Sequence, residues 1–171
     1  MSHYAKLLIA VLASLYFLGC AVNPGQWHFI DNVNLFIHEG GHVVFMFFGQ
    51  FLYVLGGSLM QVLLPSLFVV YFYATGQKYS AALTLFWVGE NLLNVAAYAG
   101  DAIKMQMPLL FGDNSIHDWN WLLIYTGQLH HTYGIALTIR IIGTVAILIA
   151  AIGSIYYSLK PHEEDKQINF S

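Results

Sequence analysis

Residues 33–74 read VNLFIHEGGHVVFMFFGQFLYVLGGSLMQVLLPSLFVVYFYA, a run in which Glu39 is the only Asp, Glu, Lys or Arg. A membrane span takes about 20 apolar residues, so this run is long enough for two. Gly49, Gly56 and Gly57 interrupt it and predict a reversal between helices over about 33–52 and 57–75. Outward from there, the same criterion predicts spans over 4–22, 80–100 and 133–159, with breaks at Asn23-Pro24-Gly25 and Thr75-Gly76-Gln77-Lys78. Residues 101–132 differ. They hold Pro108, the turn-forming Gly112-Asp113-Asn114-Ser115, and His117-Asp118-Trp119-Asn120-Trp121. Asp118 is suited to cap a short helix over 118–129, and Trp119 and Trp121 suit an interfacial or re-entrant position for it. The expected architecture is all-α: a polytopic integral membrane protein with about five transmembrane helices and one short helix. One domain over 1–160 is followed by a solvated tail over 161–171.

The whole composition points the same way. Only 9% of the 171 residues are charged, against about 25% in soluble domains. Hydrophobic residues make up 58%, and the mean hydropathy is +0.62. Six basic residues, scattered singly in a chain of net charge -3, form no stripe able to neutralise phosphates, which excludes nucleic acid as a partner. The single cysteine, Cys20, excludes an internal disulfide framework and a thiolate zinc site. Lys6 and the apolar stretch after it look like a secretory signal, and Gly19-Cys20 like a lipoprotein cleavage site. Phe17 and Leu18 fit such a site poorly and more spans follow, so the segment reads as a retained first helix.

His38-Glu39-Gly40-Gly41-His42 has the pattern His-Glu-x-x-His. On a helix, residues four apart share a face, so both imidazoles can bind one zinc ion while the glutamate reaches a metal-bound water. Eight His and four Glu in this chain predict roughly 0.01 chance matches to the pattern. A carboxylate inside a span costs about 2.5–3.5 kcal/mol, which makes Glu39 a functional residue by default. Gly40 and Gly41 weaken the helix and offer close approach to another backbone.

A zinc site of this kind needs a third protein ligand and an open position. The candidates are Glu90, Asp101, His117, Asp118, His130 and His131. Glu90, Asn94 and Asp101 share one helical face, a polar stripe that must face protein or water rather than lipid. If spans alternate, Glu90 lies level with the histidines and Asp101 about 15 Å further along. Asp101 then reaches the metal only if residues 49–57 do not complete a crossing, or if the helix over 80–100 is broken. Arg140, inside the last span, is expected to snorkel or to pair with Glu90 or Asp101.

Over about residues 33–102 the sequence resembles the site-2 protease family of intramembrane zinc metalloproteases, and its compact bacterial relatives above all. Three segments carry the likeness: His38-Glu39-Gly40-Gly41-His42, then Gly57-Ser58-Leu59-Met60-Gln61, similar to Gly-Pro-x-x-Asn, then Asn91-Leu92-Leu93-Asn94 with Asp101-Ala102, similar to Asn-x-x-Pro and Asp-Gly. The resemblance implies Zn2+ held by His38, His42 and Asp101, with His117 and Glu90 as alternatives for the third ligand, and Glu39 as general base. Asn94, Gln61 and Asn91 would contact the substrate, a transmembrane or membrane-proximal protein segment, in a lipid bilayer expected to be the bacterial cytoplasmic membrane. Two other readings remain at this point. One is a metal-binding membrane protein without proteolysis. The other is a membrane di-iron oxidase that adds His130-His131 to the first histidine pair.

Overall fold

The structure, a computed structural model, describes residues 1–23, 25–107 and 117–160. The turn expected over 112–115 and the tail over 161–171 lie outside the described residues. Among the described residues six α-helices follow one another: α1 (His3–Val22), α2 (Asp31–Phe45), α3 (Gln50–Ala74), α4 (Lys78–Gly100), α5 (Asp118–Tyr125) and α6 (Thr132–Leu159). Short 3-10 turns at Met46–Phe48 and Leu129–His131 precede α3 and α6, and no strand occurs among the described residues. Ser2 starts α1 by accepting the Ala5 N–H at its hydroxyl.

Among the described residues three stretches are long and apolar enough to cross a membrane: His3–Val22, Gln50–Ala74 and Leu129–Leu159. Two of the five expected spans fall outside this set, each for a physical reason. The helix expected over 33–52 is α2, which ends at Phe45 after 15 residues. At 1.5 Å per residue it is about 22 Å long, short of the roughly 30 Å hydrocarbon layer. Its reversal comes at Gly49, whose φ of 89° is open to glycine, and α3 then runs straight through Gly56 and Gly57. The helix expected over 80–100, α4, has the length but carries Glu90, Asn91 and Asn94, which dilute its apolar character.

That polarity is tolerated because α4 is the central helix. It packs on α6 most extensively, then on α3 and α1. Phe86, Leu93, Ile147 and Ala150 form the buried core between α4 and α6, and Phe17 of α1 stacks on Phe86 with ring centroids 5.1 Å apart. Glycines bring the two backbones together. A Cβ on Gly89 would stand 2.9 Å from the Gly143 carbonyl oxygen, and one on Gly143 would stand 2.8 Å from that of Gly89. Outer faces of α1, α3 and α6 present exposed apolar side chains such as Leu15, Val70 and Ile152.

Overpacking this crossing should destabilise the bundle. Gly143→Leu is expected to cost about 1–3 kcal/mol in reversible unfolding from mixed micelles. Gly134→Ala, at a position with no neighbouring atom within 4 Å of the new methyl, should instead be neutral or stabilise by up to about 1 kcal/mol.

Candidate metal centre

His38 and His42 lie one turn apart on α2, on the side that meets α3. The two backbones nearly touch there: a Cβ on Gly41 would collide with the Gly56 carbonyl oxygen, and one on Gly56 would stand 2.9 Å from that of Gly41. The next residue, Gly57, backs directly onto the imidazoles, and a Cβ there would collide with Nε2 of both rings. Of the motif's two glycines, Gly41 therefore provides the close approach expected of it, whereas Gly40 has nothing within 4 Å.

The early reversal at Gly49 means that residues 49–57 make no crossing. Tyr53 sits beside His42, and the far end of α4 arrives at the histidines, with the Tyr98 ring 5.8 Å from that of His38. The carboxylate that meets the histidines is Asp118, the first residue of α5. Its Oδ2 lies 2.9 Å from His38 Nε2 and 3.2 Å from His42 Nε2. Among the described residues, His38, His42 and Asp118 are the one group of three that could hold a metal ion.

The other ring nitrogens define the chemistry. His42 Nδ1 is 2.8 Å from the Tyr53 carbonyl oxygen, which can only accept, so Nδ1 carries the hydrogen and Nε2 of the neutral ring has a lone pair. His38 Nδ1 is 3.1 Å from Gln61 Oε1 and is committed in the same way. Two imidazole lone pairs and a carboxylate oxygen thus point at one another, which is stable only with a proton or a cation among them. With hydrogens on both Nε2 atoms instead, burial pushes the Asp118 carboxyl up, but hydrogen bonds from His38 and His42 outweigh it and hold the group below its ordinary pKa. Metal geometry fits as well. Ligand atoms around a tetrahedral zinc with roughly 2 Å bonds lie about 3.3 Å apart, close to the two contacts observed.

Asp101, the third ligand implied by the family resemblance, is placed elsewhere. It accepts the backbone N–H groups of Gln106 and Met107 at 3.0 and 2.8 Å, and its Oδ2 is 3.3 Å from His117 Nε2. His117 caps α5 by accepting the Asn120 N–H at Nδ1, which leaves Nε2–H to donate to Asp101. Asn120 Nδ2 donates to the Ala102 carbonyl, Trp119 Nε1 to Ser58 Oγ, and the Asp118 N–H to the Tyr98 hydroxyl. Asp101 and His117 therefore anchor the helix that delivers Asp118. Glu90 is also outside the cluster; it is buried, accepts Asn34 Nδ2 at 2.6 Å and lies against Asp31.

Glu39 is half-buried, makes no hydrogen bond within the described residues, and bears electrostatically on His42 and Tyr98. Gln61 and Asn94 bond to each other, Gln61 Nε2 donating to Asn94 Oδ1 at 2.8 Å. Asn91 is fully buried, donates to the Trp87 carbonyl, and leaves its own Oδ1 without a partner. His130 and His131 are exposed, lie against each other with their rings tilted by 45° and take no part in the cluster. Arg140 is exposed and forms no ion pair among the described residues. Sequence reasoning weighed Asp118 among the possible third ligands and read it as a helix cap, one residue from the preferred loop alternative His117. Gly57 stood in the sequence only as a break in the apolar run and the first residue of the second resembling segment, and Tyr53 and Tyr98 carried no signal as parts of the site.

A methyl group on Gly57 would occupy the space in front of both Nε2 atoms. Gly57→Ala is expected to lower Zn2+ or Co2+ affinity at least tenfold in equilibrium dialysis, and Asp118→Ala to do the same, while Asp101→Asn should act more weakly, through α5. No protein-family model, curated protein or solved structure matches the chain.

Proposed function

We propose that the chain is a membrane-embedded zinc metalloprotease that hydrolyses a peptide bond in or near a transmembrane segment, in the bacterial cytoplasmic membrane. The observation that carries this reading is the convergence of His38 Nε2, His42 Nε2 and Asp118 Oδ2 beside Glu39, which has no hydrogen-bond partner among the described residues. Three apolar helices of spanning length support the membrane setting.

His38, His42 and Asp118 would hold the ion, whose chemistry is to polarise a carbonyl and lower the pKa of bound water. Glu39 would take the proton from the attacking water and pass it to the leaving amine. Two histidines and a carboxylate also suit ferrous iron, but the neighbouring unpartnered Glu39 favours hydrolysis over oxygen chemistry. Tyr98 and the capped N-terminus of α5 would fix Asp118, so the ligand set does not have to be assembled on binding. A substrate helix hides its carbonyls in hydrogen bonds and must unwind locally to be cut. The flank of α2 at Glu39, Gly40 and Val43 would receive it: Gly40 has nothing within 4 Å and Val43 is exposed.

The test uses the full chain in liposomes with a transmembrane reporter peptide containing a helix-breaking centre. Wild type with one zinc per chain should cleave it. Glu39→Gln should keep the zinc and lose about 10²–10⁴-fold in rate, as removal of a general base does. Unchanged cleavage by Glu39→Gln would sink the reading.

A further inference from the structure

We infer that Asp31, Asn94 and Gln61 form a positioning relay that sets the tautomer of His38. The inference rests on the metal-binding part of the reading above and assigns Asn94 and Gln61 to the ligand's support rather than to the substrate.

A side-chain amide is reversible: either end can point either way, one donating and the other accepting. Asp31 Oδ1 accepts Asn94 Nδ2 at 3.0 Å, so Asn94 must turn its carbonyl oxygen the other way. That oxygen accepts Gln61 Nε2 at 2.8 Å, which turns Gln61 Oε1 toward His38 Nδ1 at 3.1 Å. An oxygen there demands a hydrogen on Nδ1 and leaves Nε2 free to bind the ion. Each step follows from the one before, and the sequence starts at the one group of the three that cannot reverse. Asp31 is itself fixed: it is the first residue of α2, is buried, and accepts the His28 N–H at its other oxygen.

The geometry also excludes a simple packing role. Asp31, Asn94, Gln61 and His38 come from three helices, and their polar atoms meet end to end within 3.1 Å at every step. His42 receives the same instruction from a backbone carbonyl, which has no second orientation. Only His38 depends on side chains to choose its tautomer.

The experiment measures Zn2+ affinity of the full chain in detergent, together with the nitrogen chemical shifts of His38 in metal-free, 15N-histidine-labelled protein, assigned with His38→Ala. Wild type should show hydrogen on Nδ1 of His38. Gln61→Leu should lose that signature and bind zinc about 10–100-fold more weakly, as loss of a ligand's outer partner does. Asn94→Leu frees the Gln61 amide to reverse and should weaken binding in the same direction. Gln61→Glu in the Asn94→Leu background should restore it, because a carboxylate presents an oxygen to Nδ1 whichever way it turns. A bare Nδ1 in the wild type, or no recovery in the double variant, overturns the relay. Absence of zinc binding by wild type would instead overturn the metal reading, and the chemical shifts would still decide the relay.

Discussion

The contact between the backbones of α2 and α3 at Gly41 and Gly56 is the constraint on which the rest depends. Any side chain at either position would push the helices apart. With them apart, Gly57 could not back the two imidazoles, the Tyr53 carbonyl could not reach His42, and Gln61 could not reach His38. Interhelical contacts between small residues let van der Waals packing act over a short distance, which matters in a lipid setting where apolar burial gives little driving force between helices. The early reversal at Gly49 is the complement of that contact, since it lets α3 begin beside the end of α2 that carries the histidines.

Around the crossing, an apolar chain gathers polar side chains in one place. Asp31, Asn34, Gln61, Glu90 and Asp118 are all buried, and each has a hydrogen-bond partner. A buried polar group without a partner costs about 1–3 kcal/mol, so each bond excludes the arrangements that would break it. That property makes the network specific, because reversing one amide would leave two facing acceptors or two facing donors. Asn91 Oδ1 is the exception among the described residues; its Nδ2 donates to the Trp87 carbonyl of the same helix.

Much of this was legible in the sequence, and the divide follows physical range. The length and apolarity of α1, α3 and α6, enough to cross a membrane, could be read from composition, because that property belongs to each segment by itself. The two expected spans outside this set differ in cause: α2 stops at Phe45, an end its apolar sequence does not mark, and α4 holds Glu90, Asn91 and Asn94, which its packing on α6, α3 and α1 accommodates. His38 and His42 were legible as a pair because helical spacing alone puts them on one face. Asp118 was not legible as their partner, since helix α5 brings it there from far along the chain. Its neighbours His117, Trp119 and Asn120 hold it there through bonds to Asp101, Ser58 and Ala102. The polar stripe on α4 was recognisable as a feature that needed protein contacts, but which way its amides pointed depended on Asp31, on a different helix.

Charge balance gives a last reason to connect Glu39 with a divalent ion. Binding an ion through both Nε2 atoms takes both imidazoles in their neutral form, so the occupied site would contribute one carboxylate from Asp118 and one more from Glu39 nearby. Two carboxylates in a sparsely solvated setting, with no lysine or arginine paired to them among the described residues, are costly unless a counter-charge is present. A doubly positive ion at the Nε2 atoms would balance both at once. Asp118 also sits at the N-terminus of α5, where the helix dipole favours its negative charge, so it is the carboxylate better suited to remain bound as a ligand. Glu39, with no protein partner, would be held near the centre by the ion's charge alone. It would therefore stay free to pick up a proton, which a carboxylate tied to the metal could not do.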